Sequence, residues 1–385
     1  MDTKTFRTRT DFRKIDYPST GDKLVVGLDA GYSSVKSVYR KGVCCFPSYV
    51  NKLTSKLITS LDDNEIVYTD LITGDRYCVG DFATSSLQRG QYVTEKTLYE
   101  REHYMTPEYL AQLRCGMAFG LWDEPDYKKQ GVFVQAGLPP AYINDDTPLL
   151  KHVAIGTHAF SVEKGKEKKE FEITLTEDDF DVMIQPLGTL FSIGTDDKGN
   201  LTPDLKKYFS SKVLIFDGGF GTLDLYELGN KQNKSVDTND QLGMRRVLDE
   251  TRKLIKADPA AGMDISIPEM QTVLETGYVV KKDPINRKTT KIDISEYLKQ
   301  ANQKVCDEAF DSISSYIFDA NYLVMSGGTG AAWHQSFKDK LKDIETIQVL
   351  PGNLMTNLPY LYANARGYFM YRTRQIKEDL KKKKG

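Results

Sequence analysis

The chain has 385 residues, with 52 basic and 54 acidic side chains and a formal net charge of −2. That length exceeds one ordinary core and suits two domains, while the near-neutral balance argues against direct nucleic-acid binding, which usually needs a basic stripe. Five cysteines without a C-x-x-C pair exclude a disulfide framework or a zinc site and fit a reducing, cytoplasmic compartment.

The four histidines are scattered and read as structural. No apolar run of about 18 residues is present, so no membrane-spanning helix is expected. The N-terminus lacks the apolar core of a secretory signal. Residues 1–22 are polar, mixed in charge and closed by Pro18 and Gly21, which predicts a flexible extension. A membrane-surface helix on Phe6, Phe12 and Ile15 is the sharper alternative.

From Lys23 the pattern changes. Residues 24–28 form a compact apolar run, Asp29 follows, and residues 35–40 alternate as a strand. Gly31-Tyr32-Ser33-Ser34 lies between them as a turn. Short strands are expected over 44–50, 66–69 and 77–79, a helix over 107–121, and a strand over 131–137. The charged stretch 163–169 reads as an exposed hairpin tip, 180–184 as a strand, and Pro186 as a helix start. Residues 212–216 form a second buried strand, followed by Asp217-Gly218-Gly219-Phe220-Gly221-Thr222 and a strand over 223–228. The strand–Asp–Gly–turn–strand unit thus occurs twice, which suggests two halves of similar build. Amphipathic helices follow over 244–256 and 294–316, and a strand over 321–325 ends in Ser326-Gly327-Gly328-Thr329-Gly330. The basic tail 377–385 reads as a solvated helix end.

Three glycine-rich turns each follow a buried strand. Backbone N–H groups in such turns can converge on an anion, and glycine permits close approach to phosphate. Asp29 and Asp217 each stand at the strand end before a turn. A carboxylate beside phosphate is repulsive unless a cation lies between them, so the pair argues for Mg²⁺ held mostly through water.

GLDAGYSSVK resembles the first phosphate loop of the actin/Hsp70/sugar-kinase superfamily, LIFDGGFGTLDL the second, and YLVMSGGTGAAW the adenosine loop. VMIQPLGTL is similar to the first connecting segment. PYLYANARGYFMY is similar to the second, with Ala363 and Gly367 as small residues where helices cross. The five segments occur in family order from residue 23 to about residue 371. The resemblance implies an α/β, actin-like (ribonuclease H-like) fold, with two domains around a nucleotide cleft that binds ATP and Mg²⁺. It places residues 23–210 with 350–385 in domain I and 211–349 in domain II. By resemblance, Gly31, Tyr32, Ser33 and Ser34 cradle phosphate together with Gly218, Gly219, Phe220, Gly221 and Thr222. Lys36 contacts phosphate if it points inward and is a surface strand lysine otherwise. Asp29 holds the magnesium shell, and Asp217 places the metal water and the attacking water. Gly327, Gly328 and Thr329 support the nucleotide, and Glu250 or Lys253 lines the base pocket. Gln185 stands where actins carry Gln; a neutral amide cannot be a strong base but can orient a water.

Within the superfamily, an Hsp70-type chaperone is disfavoured because only some fifteen residues follow the last motif. A small-molecule kinase needs a catalytic Asp, for which Asp181 is the candidate. The tail KEDLKKKKG lacks the apolar anchors of a membrane-bound, cell-division type. What remains is similar to the bacterial ParM/Alp group of plasmid-segregation proteins. That resemblance implies dynamic homopolymeric filaments, filament-stimulated ATP hydrolysis, a DNA-binding adaptor at the filament end, and no direct contact with nucleic acid or membrane. A non-segregating cytoskeletal ATPase is the other alternative.

Overall fold

Among the described residues, short strands assemble into three mixed or antiparallel β-sheets of five or six strands and a two-stranded antiparallel ribbon, Tyr278–Asp283 with Lys288–Asp293, with helices packed between and around them. The computed structural model describes residues 2–53, 60–85, 101–229, 232–239, 241–283 and 287–384.

In the first sheet, Leu24–Ala30 pairs antiparallel with Ser34–Tyr39, which pairs antiparallel with Gly42–Pro47. On its other side Leu24–Ala30 runs parallel to Val132–Leu138, and that strand runs parallel to Phe180–Ile184. The third sheet repeats this plan. Val213–Gly218 pairs antiparallel with Leu223–Gly229, which continues to Gln232–Asn239; on the other side come Tyr322–Ser326 and Gln348–Pro351, both parallel. The internal repeat expected from the two Asp–Gly units is therefore a repeat of sheet topology. Both founding strands are buried along nearly their whole length, which explains why they read as unbroken apolar runs rather than as alternating patterns.

A second, five-stranded sheet includes the Gly156–Lys164 and Glu167–Leu175 hairpin, whose turn falls inside the predicted 163–169 tip. The Pro107–Leu121 helix lies against strands of both the first and second sheets and is buried along almost all of its length. Its start is chemically defined: Pro107 occupies the first turn, and the Thr106 hydroxyl accepts from the Tyr109 N–H.

Two helices cross where the first and third sheets meet. Gln185–Ile193 follows directly on the last strand of the first sheet, and Ala363–Lys384 packs against it and against Leu24–Ala30. The crossing leaves no room for side chains. A Cβ on Gly367 would lie 1.7 Å from the Gly188 carbonyl oxygen, so glycine is obligatory there.

Residues 1–22 were expected to be flexible; instead Asp11–Lys14 adds an antiparallel strand to the outer edge of the first sheet, opposite residues 42–45. Phe12 meets Phe119 edge-on at 4.8 Å, and Tyr17 is buried against Phe369, so Phe12 is not available to a membrane-surface helix. Ahead of that strand, the segment reaches the Ile267–Thr276 helix. The Thr3 hydroxyl donates to the Leu274 carbonyl at 2.7 Å. The Arg7 guanidinium bridges Glu275 at 2.9 Å and Asp81 at 3.0 Å. An unpaired sheet edge and two waiting carboxylates give the segment partners that its own sequence does not reveal. Replacing Arg7 by Ala is expected to lower stability by about 1 kcal/mol, the scale of a partly exposed ion-pair pair, and deleting residues 2–16 to lower it further and promote aggregation through the exposed edge. Thermal melting with light scattering measures both; unchanged melting in the deletion would show that the segment contributes nothing to the fold.

Candidate functional site

The repeated topology brings the three glycine-rich turns together. Both Asp–turn hairpins and the start of the Gly327–Lys340 helix line one cavity of about 620 Å³, a volume typical of small-ligand sites. Gly31, Tyr32, Ser33, Ser34, Lys36, Gly219, Phe220, Gly221, Thr222, Gly327, Gly328 and Thr329 all face it, as do Asp29, Asp217 and Gln185.

The first turn is closed by the Gly31 N–H donating to the Ser34 carbonyl at 3.0 Å, and the Ser48 hydroxyl ties down the Gly31 carbonyl at 2.6 Å. In the second, the Gly219 N–H donates to the Thr222 carbonyl at 2.9 Å, and the Thr329 hydroxyl donates to the Gly219 carbonyl at 2.6 Å. The two turns touch: a Cβ on Gly221 would lie 3.0 Å from the Tyr32 ring. The third element is a helix start rather than an open turn. Gly327 has φ of +76°, and a Cβ there would lie 2.2 Å from the Gly218 carbonyl. Ser326 precedes the helix but makes no side-chain cap, so the first N–H groups of a 14-residue helix remain uncapped by it at the cavity.

Charge is concentrated at the floor. Asp29 and Lys36 face each other across the first hairpin, with Lys36 Nζ 3.2 Å from Asp29 Oδ2. This decides between the two readings of Lys36: it is 13% exposed and points inward, over Gly31. Gln185, the first residue of its helix, holds its amide 3.4 Å from Asp29 Oδ1. The equivalent pair in the second hairpin is Asp217 opposite Asp224. Thr222 and Thr238 hydroxyls donate to Asp224, which is 2% exposed and also lines the cavity. Asp224 was missed, although it stands seven residues after Asp217 just as Lys36 stands seven after Asp29.

Asp217 is held by a ring of four contacts. Asn364 Nδ2 donates to Oδ2 at 2.6 Å, and the Ser326 hydroxyl lies 3.2 Å from Oδ1. Thr189 Oγ1 closes the ring, 2.6 Å from Ser326 Oγ and 2.8 Å from Asn364 Oδ1. Two hydroxyls and one amide supply three protons for these four contacts; a proton on Asp217 would supply the fourth. Burial raises the Asp217 carboxyl above its ordinary value and the charge of Asp29 adds to this, while the Asn364 amide opposes it. Its folded-state value therefore exceeds the unfolded one, and the resulting stability is present in acid and lost as pH rises. Asp217→Asn keeps the shape and removes the titration. Without nucleotide it is expected to melt a few degrees above the parent at pH 7, with the gap closing towards pH 4; a lower melting point at pH 7 would contradict this electrostatic account.

Three expected residues fall outside the cavity lining. Gly218 lies beneath the third element, where its Cβ position is 2.8 Å from the Gly330 N–H nitrogen. Glu250 and Lys253 sit two to three turns along the Met244–Ala257 helix, and only Met244, at its start, lines the cavity. Glu250 is instead paired with Lys304 at 2.6 Å, Arg246 at 3.2 Å and Lys253 at 3.0 Å. The Lys304 hydrogen bond, foremost, holds its carboxyl down to about 2. A depressed value adds stability above the unfolded carboxylate range and loses it as pH falls towards 2. Glu250→Gln should therefore cost about 1–2 kcal/mol at pH 7, discounted for solvent screening, and progressively less below pH 4; urea titrations across pH measure this.

Asp181, the candidate base for a kinase, forms an ion pair with Arg372 and does not line the cavity. Among the described residues, no cluster of three or more His, Cys, Asp or Glu side chains has the geometry of a metal cage. Asp29 and Asp217 nevertheless suit a water-clad Mg²⁺: burial, and to a lesser degree the charge of Asp29, disfavours the ionised Asp217 carboxyl, and a nearby cation would offset both.

Comparison with known proteins agrees with this architecture. The family model described as actin-like proteins, N-terminal domain, matches residues 27–188. No curated protein matches the chain. Among solved structures, a 15-stranded ParM filament from Clostridium botulinum aligns with a TM-score of 0.69 at 17% identity, over 92% of this chain and 99% of that one. The actin-like protein Alp7A aligns with 0.65 at 15% identity, over 94% and 98%. Bacillus thuringiensis ParM with ATP aligns with 0.58 at 17% identity, over 93% and 100%. The family match and the structural likeness, which extends over almost the whole chain, agree: residues 27–188 resemble the N-terminal domain of actin-like proteins, and the chain has the actin-like fold.

Proposed function

We propose that this chain is a cytoplasmic actin-like ATPase that binds Mg·ATP between two domains, residues 23–210 with 350–385 and residues 211–349, and polymerises into dynamic filaments. Its cellular task on this reading is plasmid segregation through a DNA-binding adaptor at the filament end. The observation that carries the nucleotide assignment is the convergence of two Asp–turn hairpins and an uncapped helix start on one cavity. The filament assignment is supported by the likeness to the Clostridium botulinum protein solved as a filament.

On this reading, backbone N–H groups of Tyr32–Ser34 and Phe220–Thr222 cradle the terminal phosphates, while the Gly31 and Gly219 N–H groups close the turns. Lys36 exchanges its contact with Asp29 for one with phosphate. Gly327, Gly328 and Thr329 present N–H groups to the nucleotide. Bound Mg²⁺ would neutralise phosphate charge, with Asp29 and Asp217 holding its water shell. Gln185 orients the attacking water rather than deprotonating it, which implies slow basal hydrolysis that accelerates when subunit contacts reshape the cleft. ATP and lattice contacts both bias the same domain closure, and phosphate loss weakens the lattice.

Light scattering of the purified protein on addition of Mg·ATP, with pelleting and phosphate release in parallel, tests the proposal. The expected result is a rise above a critical concentration that decays as phosphate appears. Asp217→Ala should reduce turnover by at least 100-fold, and Gln185→Ala should slow hydrolysis and lengthen filament lifetime. Turnover with flat scattering would overturn the filament assignment. Parent-level turnover in Asp217→Ala would overturn the assignment of the cleft.

A further inference from the structure

The hydrogen bonds that grip Asp217 do not come from its own sheet alone. Ser326 stands at the end of the neighbouring strand, but Thr189 and Asn364 belong to the two crossing helices, Gln185–Ile193 and Ala363–Lys384. Both side chains are buried, Thr189 at 0% and Asn364 at 6% exposure. Asn364 makes the short contact, 2.6 Å from its Nδ2 to Asp217 Oδ2.

Its orientation is not free. An asparagine amide can present either its oxygen or its NH₂ group to a neighbour. Here the oxygen lies 2.8 Å from the Thr189 hydroxyl, and that leaves the NH₂ facing the carboxylate. The backbone is equally constrained. A Cβ on Gly188, next to Thr189, would lie 2.8 Å from the Asn364 carbonyl oxygen, and the Gly188–Gly367 approach closes the other side. The amide therefore sits on a rigid crossing and reaches over to a carboxylate on the third sheet. Sliding of this crossing relative to Val213–Gly218 must rotate the Asp217 carboxylate or break its strongest contact.

We infer that Asn364 is a positioning residue for Asp217, with Thr189 fixing the direction in which its amide points. Through this pair the helix crossing between the two sheets sets the angle of the carboxylate at the cavity floor. The inference rests on the ATPase reading of Asp217 given above. It goes beyond that reading in assigning the alignment of the carboxylate to a side chain outside all three glycine-rich turns.

The test compares steady-state ATP hydrolysis and nucleotide binding in the parent, Asn364→Ala, Asn364→Asp and Thr189→Val, with pelleting followed in parallel to normalise for polymer. Asn364→Ala should lower kcat about 10- to 100-fold, the scale of a misplaced catalytic group, while KM and Kd for Mg·ATP change by less than about threefold. Asn364→Asp is isosteric but puts an acceptor where the donor was, and should lose at least as much. Thr189→Val keeps the shape and frees the amide to turn, and should give an intermediate loss of kcat. A kcat within twofold of the parent in both Asn364 variants overturns the inference. So does a loss that only mirrors a reduced folded fraction, measured by thermal melting. A second measurement does not depend on ATP. The exchange Asn364→Asp with Asp217→Asn restores one donor and one acceptor, and should gain more melting temperature over Asn364→Asp than Asp217→Asn gains over the parent; an equal or smaller gain would mean the two side chains do not make the contact that the inference requires. Absence of turnover in the parent protein would instead overturn the ATPase reading itself, whatever the exchange variant shows.

Discussion

The contact on which the rest of this molecule depends is the crossing of two helices at Gly188 and Gly367. A carbonyl oxygen sits where a side chain would begin, so the helices meet backbone to backbone. One helix continues directly from the first sheet, and the other packs on that sheet's central strand. Both end their contact beside the third sheet, at Ser326 and Asp217. A looser crossing would leave two separate sheets with two unrelated glycine turns. The close one aims both turns into the same space.

Two similar hairpins meeting in one cavity give it chemical asymmetry. In one, an aspartate faces a lysine; in the other, an aspartate faces an aspartate. The first pair is close to neutral by itself. The second is an excess of negative charge held out of water, relieved by threonine hydroxyls on Asp224 and by the amide and hydroxyl on Asp217. Buried carboxylates of this kind are stable when paired, hydrogen-bonded or beside a cation. The half of the cavity that carries them is the half where a bound cation would relieve the most strain. Asp217 thus stands where burial disfavours its charge and is held there by the Asn364 amide and the Ser326 hydroxyl.

The N-terminal segment adds a constraint that the repeated core lacks. It completes the edge of the first sheet and then runs across to the Ile267–Thr276 helix, where Arg7 links carboxylates from the two sides. Residues along it also line the cavity. The core therefore has a second connection between its sides, made of ion pairs and hydrogen bonds rather than of packed helices. Such contacts are individually weak and partly exposed, so this link is softer than the glycine crossing.

Much of the architecture was legible in the sequence because it rests on local signals. Buried strands declare themselves as apolar runs, and the turn after each declares itself by glycine, so the two Asp–turn units and the Pro107–Leu121 and Phe180–Ile184 elements could be placed from spacing alone. The direction of Lys36 stays open in the sequence, and its register opposite Asp29 in the folded hairpin decides it. The sequence could not decide interactions between distant residues. Glu250 and Lys253 were expected at the cavity, but ion pairing with Lys304 and neighbours on their own helix holds them on its surface. Residues 1–22 read as flexible because they are polar and mixed in charge, yet Asp11–Lys14 pairs with an open sheet edge and Arg7 bridges Asp81 and Glu275. Asn364 and Thr189 carry no local mark at all; they meet Asp217 only because a helix crossing brings together positions 147 and 28 residues apart from it, the first as a direct contact. Local order is written in spacing. The alignment of a buried carboxylate is a property of the packed whole, since it is set by groups that become neighbours only after the chain has folded.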